Sequence, residues 1–490
     1  MRIVVLFIAF LSVSSRSPAA DRPAPPNIVY ILADDLGWTD LGCQGSTYYR
    51  TPAIDRLAAE GMRLTRYYNS QNCAPTRAVL MSGQYAPRTG IYTVNTLERG
   101  EARDRRMHVP AIETRLALDK FILPQALKAA GYTTGMFGKW HLGTPGDHHP
   151  AKRGFDEALV SDGRHFDFET VPPVEYPKGQ YLADFLTDRA LDFIGRNRSR
   201  PFFLYLPHFA VHTPIQAKPD YVAAWEQRPP QGGHWHPTYA AMIQSVDESV
   251  ARITARLAEL GLAEDTLVIF SSDNGGLGSY DRTEPPSEKK GFTSNAPLRG
   301  GKGTLYEGGI RVPFIARWPG AIPAGTTSDV PVAHIDVYPT LLAVAGGRPR
   351  AGTTLDGVSF LPVLRKPRAT LAREAIYWHF PGYLESYVHD RGWRTAPVGA
   401  IHAGDWKLLE YFETGTVELY NVRVDPGETR NLAAESAARV QELQSKLVAW
   451  RQSVGAAMPR HKTPAELAAD ATAPSPPPKA GKKGGKRQAK

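Results

Sequence analysis

Cysteine is almost absent: Cys43 and Cys73 are the two thiols in 490 residues. That excludes a disulfide framework, and a chain this long buries enough core to need no such staple. Long apolar runs are missing too. Beyond the N-terminus nothing approaches the ~20 apolar residues that cross a bilayer, so no transmembrane segment is expected. The net charge of +9 gives little reason to expect nucleic acid, because six of those charges sit in the terminal stretch "PSPPPKAGKKGGKRQAK", leaving +3 elsewhere. Proline, glycine and lysine without apolar partners cannot build a core, so residues 463–490 read as a disordered basic tail and no nucleic-acid partner is expected.

What is present starts with "MRIVVLFIAFLSVSSRSPAA": Arg2, an apolar run from Ile3 to Val13, then small residues before Asp21. That order is a secretory signal peptide over residues 1–20, and it implies an exported protein, periplasmic or secreted. In such a compartment a Cys43–Cys73 disulfide stays open as a reading of composition alone.

A recurring unit follows, a short apolar run that ends in polar residues. Ile28–Leu32 leads to Asp34 and Asp35, and Tyr132–Phe137 leads to Lys139 and His141. Phe202–Leu206 leads to His208 and His212, and Leu267–Phe270 leads to Asp273 and Asn274. Continuous apolar runs suit strands covered on both faces. Helical patterns separate them: "ILPQALKAAGY", with proline near the start and glycine past the end, and "TYAAMIQSVDESVARITARLAELGL". The expected fold is α/β, with a large mixed, mainly parallel sheet sandwiched by helices. Short strands at Ile376–His379, Trp406–Phe412 and Val417–Tyr420, then a helix near Ala433–Trp450, predict a smaller C-terminal antiparallel sheet plus helix. The division is 21–370 for the N-terminal catalytic domain and 371–462 for the C-terminal subdomain.

Open sheets bind ligands beyond the carboxyl ends of their strands, so the four polar clusters should converge. Asp34, Asp35, Asp273 and Asn274 then form a hard-oxygen set suited to calcium or magnesium rather than zinc. Taken singly, each cluster is also an ordinary turn or cap. Lys139, His141, His212, Arg77 and, in "PLRGGKGTLYEGGIRVP", Lys302 add cationic and proton-carrying groups suited to a tetrahedral anion. In "NCAPTRAVLMSG", Pro75 fits a first helical turn, which puts Cys73 at a helix N-terminus, where a thiol pKa falls.

C-x-P-x-R followed by Ser82-Gly83 resembles the signature of the type I, formylglycine-dependent sulfatases of the alkaline phosphatase-like superfamily. The ordered set Asp34-Asp35, "GKWHLG", "VHTP", "SDNGG" and "GGKGTLYEGGIRVP" carries the resemblance across residues 26–450. It implies that a formylglycine-generating or sulfatase-maturing enzyme converts Cys73 to Cα-formylglycine, which ends the disulfide reading. It implies further that Asp34, Asp35, Asp273 and Asn274 hold one calcium ion per chain and that Arg77 supports the aldehyde hydrate. Lys139, Lys302 and His212 would bind the sulfate or assist the leaving group, and His141 would act as the final base. The implied reaction is sulfate-ester hydrolysis through a covalent sulfo-enzyme. Phosphate or phosphonate ester hydrolysis, or non-catalytic binding of sulfated polysaccharide, are the competing readings. The rim segments "TLERGEARDRRMHV", "PGDHHPAKRGFDEALVSDGRHF", "SYDRTEPPSEKKGFTSNAP" and "YWHFPGYLESY" are rich in cations and aromatics, so a sulfated carbohydrate is the expected substrate.

Overall fold

A computed structural model describes residues 25–278, 291–386 and 392–472. The expected leader, most of the rim segment beginning at Ser279, and the last 18 residues of the tail lie outside the described residues.

The main sheet has eight strands: β1 (Asn27–Ala33), β2 (Met62–Leu64), β3 (Thr133–Gly138), β4 (Glu157–Val160), β5 (Phe202–Pro207), β6 (Thr266–Ser272), β7 (Phe314–Arg317) and β8 (Thr326–Ser328). Their order is β8-β2-β7-β6-β1-β5-β3-β4. All run parallel except β7, which is antiparallel to both β2 and β6. The central strand β1 pairs Ile28 with Phe203 on one side and Leu267 on the other.

Every residue of β1 is buried because helices cover both faces. Ile28, Tyr30 and Leu32 enter one core, with side chains of the helices Cys73–Ser82, Leu123–Ala129 and Val337–Val344. Val29, Ile31 and Ala33 enter the other, against Pro52–Ala59, Leu182–Arg196 and Pro237–Glu259. The period-2 alternation of a strand thus feeds two cores, each buried Val, Leu or Ile contributing about 1.5–3 kcal/mol.

A second, four-stranded antiparallel sheet is built from β9 (Ile376–Phe380), β10 (Val398–Ala403), β11 (Trp406–Tyr411) and β12 (Val417–Asn421), with the helix Ala437–Ser453 beside it. A third core joins it to the first unit: Tyr68, Val79, Leu305 and Ile335 pack with Trp378, Leu408 and Leu447. Within this seam Lys407 is fully buried between two carboxylates, 3.1 Å from Glu307 and 2.9 Å from Glu428.

The C-terminal end departs from expectation. Arg460–His461 pairs with Met107–His108, and Pro464–Thr472 is helical, so ordered chain extends past the expected tail boundary at 463. Lys462 anchors this strap by donating to the Ala102 carbonyl at 2.9 Å. No helix among the described residues is long and apolar enough to cross a membrane.

Candidate active site

The four polar clusters do converge. Backbone pairing continues past the strand ends: the Asp34 amide donates to Ala210 O, Asp273 N to Ala33 O and Lys139 N to Pro207 O. This holds the residues after β1, β3, β5 and β6 side by side. Two side chains there sit in the left-handed region, Asp35 at φ 65° and His141 at φ 61°. Such backbone costs about 1–3 kcal/mol per residue and persists where surrounding structure fixes it.

Cys73 opens the helix Cys73–Ser82, after an extended Asn72. Its Sγ lies 3.3 Å from His141 Nδ1. Four residues on, Arg77 is fully enclosed; Nε and Nη2 donate to Asp273 Oδ2 at 3.1 and 2.7 Å, and Nη1 donates to the Lys139 carbonyl at 2.7 Å. Lys139 Nζ meets Asp34 Oδ2 at 2.5 Å, and Lys302 Nζ meets Asp35 Oδ2 at 2.7 Å. His212 Nε2 faces the same Asp35 oxygen at 3.7 Å, while its Nδ1 lies 2.6 Å from Thr213 O.

The Lys302 loop is clamped between two other loops, Lys302 N donating to Gly276 O and Gly303 N to Gln71 O. That approach requires glycine. A Cβ on Gly275 would lie 1.8 Å from Gly308 O, and one on Gly301 would lie 2.3 Å from Gly278 O.

Burial sets the electrostatics. It pushes the Cys73 thiol up, outweighing Lys139 and Lys302, so the helix-start expectation of a lowered thiol pKa is corrected. Burial and then Lys139, Arg77 and Lys302 hold His141 well below the usual imidazole range. His212 is lowered to about 3 by burial, with Asp35 working against the shift. Asp273 is raised to about 6 by burial and the neighbouring Asp34, although Arg77 opposes this. At Asp35 burial acts upward, yet Lys302, His212 and Lys139 together hold the carboxyl well below its normal range.

The donor set fits a hard divalent cation. Asp34 Oδ1 and Asn274 Oδ1 are buried without a hydrogen-bond partner, and buried oxygens of that kind are costly unless something positive meets them. Asn274 Nδ2 donates to Asp35 Oδ1 at 2.8 Å, which orients the amide. Ligand atoms of Asp34, Asp273 and Cys73 lie within 4.8 Å of one another, as do those of Asp34, Asp35 and His212.

All ten side chains expected from the sequence therefore surround one point. His208 does not join them: its ring is taken up by Ser249 Oγ at 2.9 Å, the structural role common for a buried histidine. The two thiols are free and unpaired with each other. Above Cys73 opens a cavity of about 380 Å³ whose wall includes Arg99, Asp162 and Leu384, from three of the expected rim segments, and Phe209, from the segment that follows β5. Arg394 also lines it and belongs to none of them; no spacing or motif marks it in the sequence.

The family described as Sulfatase matches residues 26–347, and the family described as N-sulphoglucosamine sulphohydrolase, C-terminal, matches residues 301–453. A sulfatase of Formosa agariphila is 32% identical over 91% of this chain and 93% of its own length. N-acetylgalactosamine-6-sulfatase of Mus musculus is 37% identical over 71% of this chain and 68% of its own. Among solved structures, Ps i-CgsB in complex with k-i-k-neocarrahexaose superposes with a TM-score of 0.74 and 29% identity, over 91% of this chain and 98% of that one.

Proposed function

This chain belongs to the sulfatase family and is a sulfuric ester hydrolase, and from that premise we propose that it removes sulfate from carbohydrates, using residue 73 as formylglycine and one bound calcium ion. The observation that carries the reading is the placement of Cys73: it lies at a helix start on the floor of the cavity, 3.3 Å from a histidine, beside three buried carboxylates and three buried cations. As a thiol this residue is a poor nucleophile, because burial holds it protonated. Oxidised to the aldehyde and hydrated, it would supply a hydroxyl nucleophile in the same place.

Calcium bound by Asp34, Asp35, Asp273 and Asn274 would supply Lewis-acid polarisation of a sulfate oxygen. The protein's own groups then have separable tasks. Arg77 fixes Asp273 through two bonds to one oxygen and so orients that carboxylate. Lys139 and Lys302 bring fixed positive charge to the sulfate oxygens in a site that needs no reorganisation. His141, neutral because of its burial among cations, is ready to take a proton at Nδ1 from a group on residue 73. His212 or Lys302 can deliver a proton to the departing alcohol.

A carbohydrate substrate is supported by the names of the relatives, one an N-acetylgalactosamine-6-sulfatase, and by the neocarrahexaose in the Ps i-CgsB complex. Phe209 and the cationic rim suit a charged sugar. Export by way of residues 1–20, and maturation of Cys73 by a formylglycine-generating enzyme, complete the reading. The test is sulfate release from a panel of defined sulfated saccharides, with aryl sulfate and phosphate monoester as comparators. Turnover of a saccharide sulfate above aryl sulfate is the expected result, and preference for the phosphate ester would overturn it.

A further inference from the structure

The cavity is lined by cationic side chains beyond those assigned to the sulfate group above. Lys139 and Lys302 at its floor each already face a carboxylate, Asp34 and Asp35. The same cavity is lined by two arginines with no place in the chemistry above, Arg99 and Arg394.

Arg394 is fixed to the Lys302 loop, and the segment that bears Arg99 packs against Trp393, the residue before Arg394. Arg394 lies against Gly303, where a Cβ would be 2.7 Å from its Nε, and the next residue, Thr395, donates to the Gly303 carbonyl at 2.6 Å. The packing of the Arg99 segment is close: a Cβ on Gly100 would lie 2.6 Å from the Trp393 ring, and Leu97 packs against Gly382. Arg99 Nη2 donates to the Val94 carbonyl at 2.9 Å, which holds the guanidinium in place. Its Nε is buried without a partner, and among the described residues Arg99 makes no ion pair. Among the described residues the acids on the cavity wall are Asp162 and Glu385, both exposed and thus screened by water.

We infer that Arg99 and Arg394 form a second oxyanion subsite beside the sulfate position, so that the preferred substrate carries a further sulfate or carboxylate on the same sugar or the next. This rests on the carbohydrate reading above. A guanidinium is the group best shaped for such a partner, since its planar fork matches sulfate and carboxylate oxygens two at a time. The size of the space limits where the second anion sits. About 380 Å³ is at the small end of ligand pockets, so both anions belong to one compact unit.

The test compares kcat/KM for a monosulfated sugar, the same sugar with a second sulfate, and the same sugar linked to a uronate. Native enzyme should favour a doubly charged substrate by roughly 10- to 100-fold, the size of one or two charge-assisted contacts. Which of the two it favours identifies the anion. Arg99→Gln and Arg394→Gln should each shrink that preference, mainly through KM, while Arg99→Lys retains part of it. Added salt should weaken the native preference. Equal rates on singly and doubly charged sugars, or a preference unmoved by both glutamine variants, would overturn the subsite while leaving carbohydrate sulfatase activity standing. If no sugar sulfate is hydrolysed while aryl sulfate is, the carbohydrate reading fails and the subsite with it.

Discussion

Replacing Lys407 by methionine tests how the C-terminal sheet supports the active-site loops. Lys407 and both of its carboxylate partners are buried, and Glu307 lies just beyond the Lys302 loop, at the start of the turn Glu307–Ile310. The two carboxylates share one ammonium unequally. Burial acts upward on Glu307, but Lys407 and Arg311 hold it low, and Tyr68 donates to it at 3.1 Å. Glu428 is pushed up to about 7, by burial first and by Glu307 as well. Removing one member of a buried ionic set typically costs about 3–5 kcal/mol.

Part of that cost is avoidable by protonation. A carboxyl whose folded pKa exceeds its unfolded value contributes stability that is full below the unfolded value and lost as pH rises through the folded one. In the Lys407→Met variant Glu428 loses its cation and its pKa rises further. Stability should then fall with pH from the unfolded value of 4.5 to at least 7, by roughly 1.4 kcal/mol per pH unit for one proton. Urea midpoints at pH 5.5 and pH 7.5, followed by tryptophan fluorescence, read both quantities. A cost below about 1 kcal/mol at pH 7.5, or a variant whose stability does not fall between the two pH values, would refute the unequal sharing.

Asp273→Asn should lower kcat/KM by on the order of 1,000-fold and reduce bound calcium to below one ion per chain, by mass-spectrometric metal analysis; full metal content with full turnover would remove Asp273 from the ligand set. His141→Asn should cost about 100- to 10,000-fold in kcat, the range of a lost general base, with KM changed little; steady-state kinetics on the preferred sulfate ester decide it. Gly275→Ala should yield protein that unfolds several degrees earlier and turns over poorly, because a methyl 1.8 Å from Gly308 O forces two loops apart. Thermal melts and sulfate release check that outcome.

The strand ends were legible because apolar runs covered on both faces are continuous in sequence, and polar residues can follow them only where the sheet stops. Ile28–Leu32 with Asp34-Asp35 and Leu267–Phe270 with Asp273-Asn274 are of this kind, and the strands extend two and three residues beyond these apolar runs. The helix start at Cys73 followed from Pro75. Burial was not legible: a helix N-terminus argues for a lowered thiol pKa at Cys73, while its enclosure, absent from any spacing rule, reverses the direction. His208 and His212 look alike in sequence, and only the packing of the helix Pro237–Glu259 assigns the first to Ser249. Arg99 and Arg394 are separated by nearly 300 residues and meet the cavity through loop packing, which leaves no periodic trace. The antiparallel direction of β7 and the strap at Arg460–His461 are likewise pairings over long separations, set by topology rather than by local pattern.

The central claim is that residue 73 acts as an aldehyde rather than a thiol. Trypsin releases it in the peptide Tyr67–Arg77, and the mass of that peptide from active native enzyme is the most direct test. The account predicts a peptide about 18 Da lighter than the cysteine form, the change from thiol to aldehyde that the nucleophile requires. A fully active preparation in which that peptide retains an intact cysteine would contradict it.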